Sequence, residues 1–146
     1  MTYSRMVNNY QNTSISTSSK LDLVILCYDK IIEFLAQTKI YFEEKEFEKK
    51  GKSFSTAITL ISELQSCLNF EKGGEIAKNL DSIYSYLTQK LLQGDIEKNI
   101  DVYDEGIKII SELKEAWERI ASVDEDPVDN IIVQDQKRPS LGQIAA

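Results

Sequence analysis

The run Thr17-Ser-Ser-Lys-Leu-Asp-Leu-Val-Ile-Leu-Cys-Tyr-Asp-Lys-Ile-Ile-Glu-Phe-Leu-Ala-Gln-Thr-Lys-Ile-Tyr-Phe42 decides how the rest of the chain is read. Placed on a helix at about 100° per residue, its apolar side chains spread over roughly 220° of the circumference. Asp22, Asp29, Lys30, Glu33 and Gln37 take the remainder. A bundle helix meets its neighbours with an apolar stripe only a little over ~100° wide. The run is also too interrupted by charge to cross a membrane, which takes about 20 predominantly apolar residues. Part of this helix must therefore be covered by something other than its bundle neighbours, and that points to binding rather than chemistry. Its core side is assigned to Val24, Ile31 and Leu35, and the surplus strip to Leu23, Leu26, Cys27 and Phe34.

Three more helical patterns follow. Ser19 with Asp22 three residues on resembles a capping box for the first helix, which ends near Phe42 to Lys45. The charged segment Glu43 to Lys50 reads as a solvated turn between antiparallel helices. A second helix is expected from Phe47 to Asn69, with Phe54, Ala57, Ile58, Ile61, Leu64 and Leu68 inward, Leu60 and Cys67 on its flank, and Gly73-Gly74 stopping it. A third runs from Gly74 to about Gln93, with Ile76, Leu80, Ile83, Tyr84, Leu87 and Leu91 inward and Tyr86 off the stripe. Gly94-Asp95 reads as a break with Asp95 as N-cap of a fourth helix, whose stripe is Ile96, Ile100, Tyr103, Ile107, Ile110, Leu113, Trp117 and Ala121. Val102, Ile109 and Ile120 widen that stripe, and Asp124 to Pro127 ends it. The expected fold is all-α: an antiparallel up-down four-helix bundle over residues 17–122, with a short N-terminal helix or cap. Residues 123–146 are expected to form a mobile tail, although Ile131-Ile-Val133 is apolar enough to dock transiently. Residues 1–16 form a leader that is either disordered or lies over the surplus strip through Val7, Tyr10 and Ile15.

Composition narrows the function. The 146 residues are 42% hydrophobic and 28% charged, with a net charge of −7, which argues against nucleic acid because phosphate binding needs a concentrated basic face. The acidic balance serves solubility. There is no histidine, so neither a Ser-His-Asp nor a Cys-His arrangement can be assembled, and a Glu-x-x-His metal pair is impossible. Gly73-Gly74 is not followed by the Lys-Ser/Thr pair of a phosphate loop. No enzyme, cofactor or metal is expected. Cys27 and Cys67 sit in apolar helical patterns and read as buried thiols of a reducing compartment. The N-terminus lacks the apolar core of a signal peptide, so the expected location is the cytoplasm, without membrane insertion.

The chain carries Tyr10-Gln11, Ile15, Thr17-Ser-Ser-Lys20, Leu23 and Leu26-Cys-Tyr-Asp-Lys30, then Gly73-Gly-Glu-Ile-Ala-Lys-Asn-Leu80 with Ile83-Tyr84 and Tyr86, and finally Trp117. Together these stretches resemble the FliS family of flagellin-specific export chaperones. The similarity runs from about Tyr10 to Ala121. Lys20 stands where the family pattern has proline, Cys27 where it has leucine and Lys30 where it has glycine. The resemblance implies a four-helix bundle that holds the disordered C-terminal segment of flagellin as a helix, prevents premature polymerisation and is delivered, client-loaded, to the flagellar export gate. It also implies that the leader can occupy the groove when the client is absent.

The expected partner contacts are Val7, Tyr10, Ile15, Leu23, Leu26, Cys27, Tyr28, Asp29, Phe34, Asn79, Tyr84 and Tyr86. A monomer forming a one-to-one client complex is expected, and the competing reading is a helical adaptor or homodimerising regulatory bundle. A client that folds on binding loses roughly 2–5 kcal/mol or more to ordering. Covering about 1,000 Å² of apolar surface contributes a gross upper bound of roughly 25 kcal/mol, heavily reduced by association costs. Helix-in-groove recognition with anchors at i, i+3, i+4 and i+7 provides such contact.

Overall fold

The computed structural model describes residues 20–123 and 128–132, so the leader with Val7, Tyr10 and Ile15 lies outside the described residues. Four long helices follow one another: α1 (Lys20–Glu43), α2 (Phe47–Ser66), α3 (Phe70–Ile96) and α4 (Asp101–Val123). A single turn, α5 (Val128–Ile131), comes after them. Along α1 the buried side chains are Val24, Cys27, Tyr28, Ile31, Leu35 and Thr38, a stripe at spacings of three and four. That stripe packs on α2 and α4, while α3 closes the square by touching α2 and α4. The all-α bundle read in the sequence is the observed architecture. No helix among the described residues is long and apolar enough to cross a membrane.

Polar contacts between helices fix their register. Thr38 Oγ1 and Ser53 Oγ share a buried hydrogen bond of 2.7 Å between α1 and α2. Asp29 meets Lys114 at 2.6 Å and Asp104 meets Lys39 at 2.7 Å, both across α1 and α4. Gln65 Nε2 donates to Asp81 Oδ1 and Ser85 Oγ, each at 2.8 Å, joining α2 to α3. The surface ion pairs are individually weak, each contributing about 0–1 kcal/mol, so the apolar core carries the stability.

The joints depart from the sequence reading in instructive ways. α2 ends at Ser66 rather than at Asn69, because Asn69 is itself an N-cap: its side chain accepts from the Lys72 N–H at 3.0 Å and starts the next helix at Phe70. Gly74, at φ 51° and ψ −128°, interrupts that helix after one turn, in a conformation that glycine tolerates best. Gly94-Asp95 is not a break. α3 continues through it to Ile96, and Gly94 is there for close approach, since a Cβ would fall 2.6 Å from the Cβ of Val102 on α4. Asp95, expected as an N-cap, instead accepts from the Tyr103 hydroxyl at 2.6 Å and pairs with Lys50 at 2.9 Å. The turn is made later, at Lys98 with φ 60°, and Asn99 accepts from the Asp101 N–H at the start of α4. Ile96 therefore lies on α3 and is 75% exposed instead of belonging to the fourth stripe. Leu60 and Cys67, expected on a flank, are core residues.

The segment after α4 returns to the bundle. Leu68 and Ile132 form an isolated antiparallel bridge, and the Asn69 N–H donates to the Ile131 carbonyl at 2.7 Å. Ile131 and Ile132 are both buried. The docking that their apolar character allowed is thus seen in residues 128–132, which lie within the stretch read as a mobile tail.

Candidate functional site

The middle of the bundle is held by three aromatic side chains from three helices. Trp117 Nε1 of α4 donates to the Tyr28 hydroxyl of α1 at 2.7 Å, and that hydroxyl shares a 2.6 Å hydrogen bond with the Tyr84 hydroxyl of α3. All three side chains are buried. Burial pushes the Tyr28 phenol up to about 12 and raises Tyr84 well above its ordinary value. Both stay protonated near neutrality, so they serve as hydrogen-bonding groups and not as bases or nucleophiles.

Outside this centre, the seam between α3 and α4 opens into an apolar furrow. Its volume is about 180 Å³, and Ile76, Asn79 and Leu80 of α3 face Leu113, Ala116, Trp117 and Ile120 of α4 across it, with Ile131 of α5 beside them. The α4 wall is spaced i, i+3, i+4, i+7, and the α3 wall i, i+3, i+4, so each presents one helix face. The furrow is too small to enclose a helix, which is about 10–12 Å across with its side chains. It suits apolar knobs projecting from one face of a helix laid over it. Ile76, expected to point inward, is 52% exposed at its rim. Further along α3, Tyr86, Gln89, Lys90, Gln93 and Glu97 border a more polar hollow of about 370 Å³, which Asn99 and Val102 close on the other side.

The sequence-derived contact residues separate into three groups. Asn79 and Tyr86 are exposed and line the two hollows of the α3–α4 seam. Leu23, Leu26 and Phe34 are half-buried on α1, and Asp29 is exposed but paired with Lys114. Cys27, Tyr28 and Tyr84 are buried, at 3%, 0% and 1% exposure, so they support the surface from beneath instead of lining it. Cys27 and Cys67 are both buried and form no disulfide.

The sequence reading missed Leu113, Ala116, Ile120 and Ile131 as furrow residues, and placed Ile76, Leu80 and Trp117 in core stripes and in the family motifs without naming them as contacts. One signal was present. The fourth helix carried a widened apolar face that included Ile120, and a face wider than the core requires has side chains left over for a second surface.

A family model described as flagellar protein FliS matches residues 3–124. The chain belongs to the FliS family. It is 33% identical to the flagellar secretion chaperone FliS of Vibrio cholerae over 109 residues, which is 75% of this chain and 80% of the relative. It is 30% identical to the flagellar secretion chaperone FliS of Salmonella typhimurium over 110 residues, covering 75% of this chain and 82% of that one. The flagellar secretion chaperone FliSB of Pseudomonas aeruginosa is 30% identical over 121 residues, 80% of this chain and 96% of the relative. Membership makes the chain an export chaperone of flagellum biogenesis and not an enzyme. The family match stops at residue 124, before α5.

Proposed function

We propose that this chaperone binds the C-terminal segment of newly made flagellin in the cytoplasm, as a one-to-one complex, keeps it from polymerising and delivers it to the flagellar export apparatus. The observation that supports this reading is the furrow between α3 and α4, an apolar surface with helix-face spacing on both walls in a member of a secretion-chaperone family. A disordered client becomes helical over such a surface because burying its apolar face compensates for the ordering entropy. Asn79 at the rim offers an amide to a client backbone or polar side chain. Leu23, Leu26 and Phe34 extend the proposed contact onto α1, and the leader competes for it through Val7, Tyr10 and Ile15.

The test is a titration of flagellin C-terminal peptide into the purified protein, followed by light scattering. The expected result is a monomer that becomes a one-to-one heterodimer. A stable homodimer indifferent to the peptide would overturn the proposal and favour the homodimerising adaptor. Removing residues 1–16 should tighten binding if the leader competes; weaker binding would refute that competition.

A further inference from the structure

We infer that Ile131 of α5 is the end wall of the client furrow, and that α5 stays docked when the furrow is filled; this rests on the client reading above. Five features show that α5 has a built seat on the bundle. The Asn69 N–H donates to the Ile131 carbonyl at 2.7 Å, and Leu68 bridges Ile132. Lys20 Nζ donates to the Ile132 carbonyl at 3.3 Å. A Cβ at Gly73 would lie 2.8 Å from the Ala77 Cβ of its own helix and 3.3 Å from the Asn130 carbonyl oxygen, so the bare backbone there also lets α5 come close. Ile131 itself is 2% exposed.

The furrow is open with α5 in this seat, and Ile131 shares its lining with Trp117. A segment that merely plugged the site would fill the hollow. This one leaves it accessible and bounds it. An apolar knob entering between Ile76 and Ile120 would meet the Ile131 side chain, so α5 sets where along the seam the client's anchor can sit. α5 lies beyond residue 124, where the family match ends, so the wall rests on this chain's own residues, as an element that selects among client anchors.

Trp117 is the single tryptophan, so its emission reports on the furrow. With the full-length chain, a flagellin C-terminal peptide should shift that emission. Ile131→Ala should weaken binding about tenfold, the equivalent of about 1.4 kcal/mol, while Ile131→Val stays close to wild type. Hydrogen exchange on the wild-type complex, which needs no variant, should show the Asn69 amide as protected as in the free protein or more so. Unchanged or tighter binding by Ile131→Ala, or loss of Asn69 protection on adding peptide, would overturn the wall and make α5 a displaced plug. If the peptide does not bind wild type, the client reading falls and the wall is decided separately with 1-anilinonaphthalene-8-sulfonate. Weaker dye binding by Ile131→Ala then supports it, and equal binding overturns it.

Discussion

Tyr28 and Tyr84 meet across the bundle with their hydroxyl oxygens 2.6 Å apart, and Trp117 donates to the same Tyr28 oxygen from a third helix. The indole N–H can only donate, so the Tyr28 oxygen accepts from Trp117 and keeps one further bond for Tyr84. Tyr28 is the shared member. Tyr28→Phe strands two buried polar groups, whereas Tyr84→Phe strands one. Leaving such a group unpaired costs about 1–3 kcal/mol. Urea denaturation followed by circular dichroism should therefore rank Tyr28→Phe as clearly the more destabilising. Equal losses would show that the three side chains do not act through Tyr28.

The same pair makes stability depend on alkaline pH. Both phenols titrate higher in the fold than the ordinary value of 10.0, chiefly because burial disfavours the anion. Above about pH 10 the unfolded chain releases these protons first, so it binds fewer protons than the native state and stability falls as pH rises. The loss should begin near pH 10 and continue through about pH 12, where Tyr28 titrates in the fold. Its slope is about 1.4 kcal/mol per pH unit for each tyrosine involved. Denaturation midpoints at pH 8 and pH 11 check this, and Tyr28→Phe should flatten the difference.

Two helical glycines should respond to alanine with opposite signs. Gly51 on α2 has open space where a side chain would project, with nothing within 4 Å of the Cβ position, so Gly51→Ala should stabilise by about 0.5–1 kcal/mol through helix propensity. Gly94 faces Val102 so closely that a Cβ would sit 2.6 Å from the Val102 Cβ. Gly94→Ala should destabilise by about 1–3 kcal/mol, because the α3–α4 contact must open. Thermal melts of the two variants give the comparison directly.

Charge placed on the furrow rim should separate binding from folding. Ile76 and Ile96 are both exposed on α3, at 52% and 75%, but only Ile76 lines the furrow. Ile76→Asp should abolish binding of the flagellin peptide while helical content stays nearly unchanged. Ile96→Asp should leave binding intact. Binding lost in both, or in neither, would place the client elsewhere on the molecule.

The helices were legible in the sequence because spacings of three and four put Val24, Ile31, Leu35, Ala57, Ile61 and Leu87 on stripes whatever they pack against, and all six are buried. The joints were less legible, since a cap and a close-approach glycine look alike in one dimension. Asn69 and Gly94 acquire their roles only from Lys72 and Val102. The binding surface was the least legible part. Counting apolar residues identified a surplus on α1, yet Cys27 of that surplus and the expected contact Tyr28 are buried within the bundle, while Ile76 on α3 is left at the surface.

By itself, the sequence determined the helical class, the lack of histidine chemistry and the family, because these depend on residue identity and on periodicity along one chain. Tertiary structure alone decided which apolar side chains were left over. Burial belongs to pairs of surfaces, and Ile76, Ile120 and Ile131, far apart in the chain, line one furrow only after α3, α4 and α5 have packed.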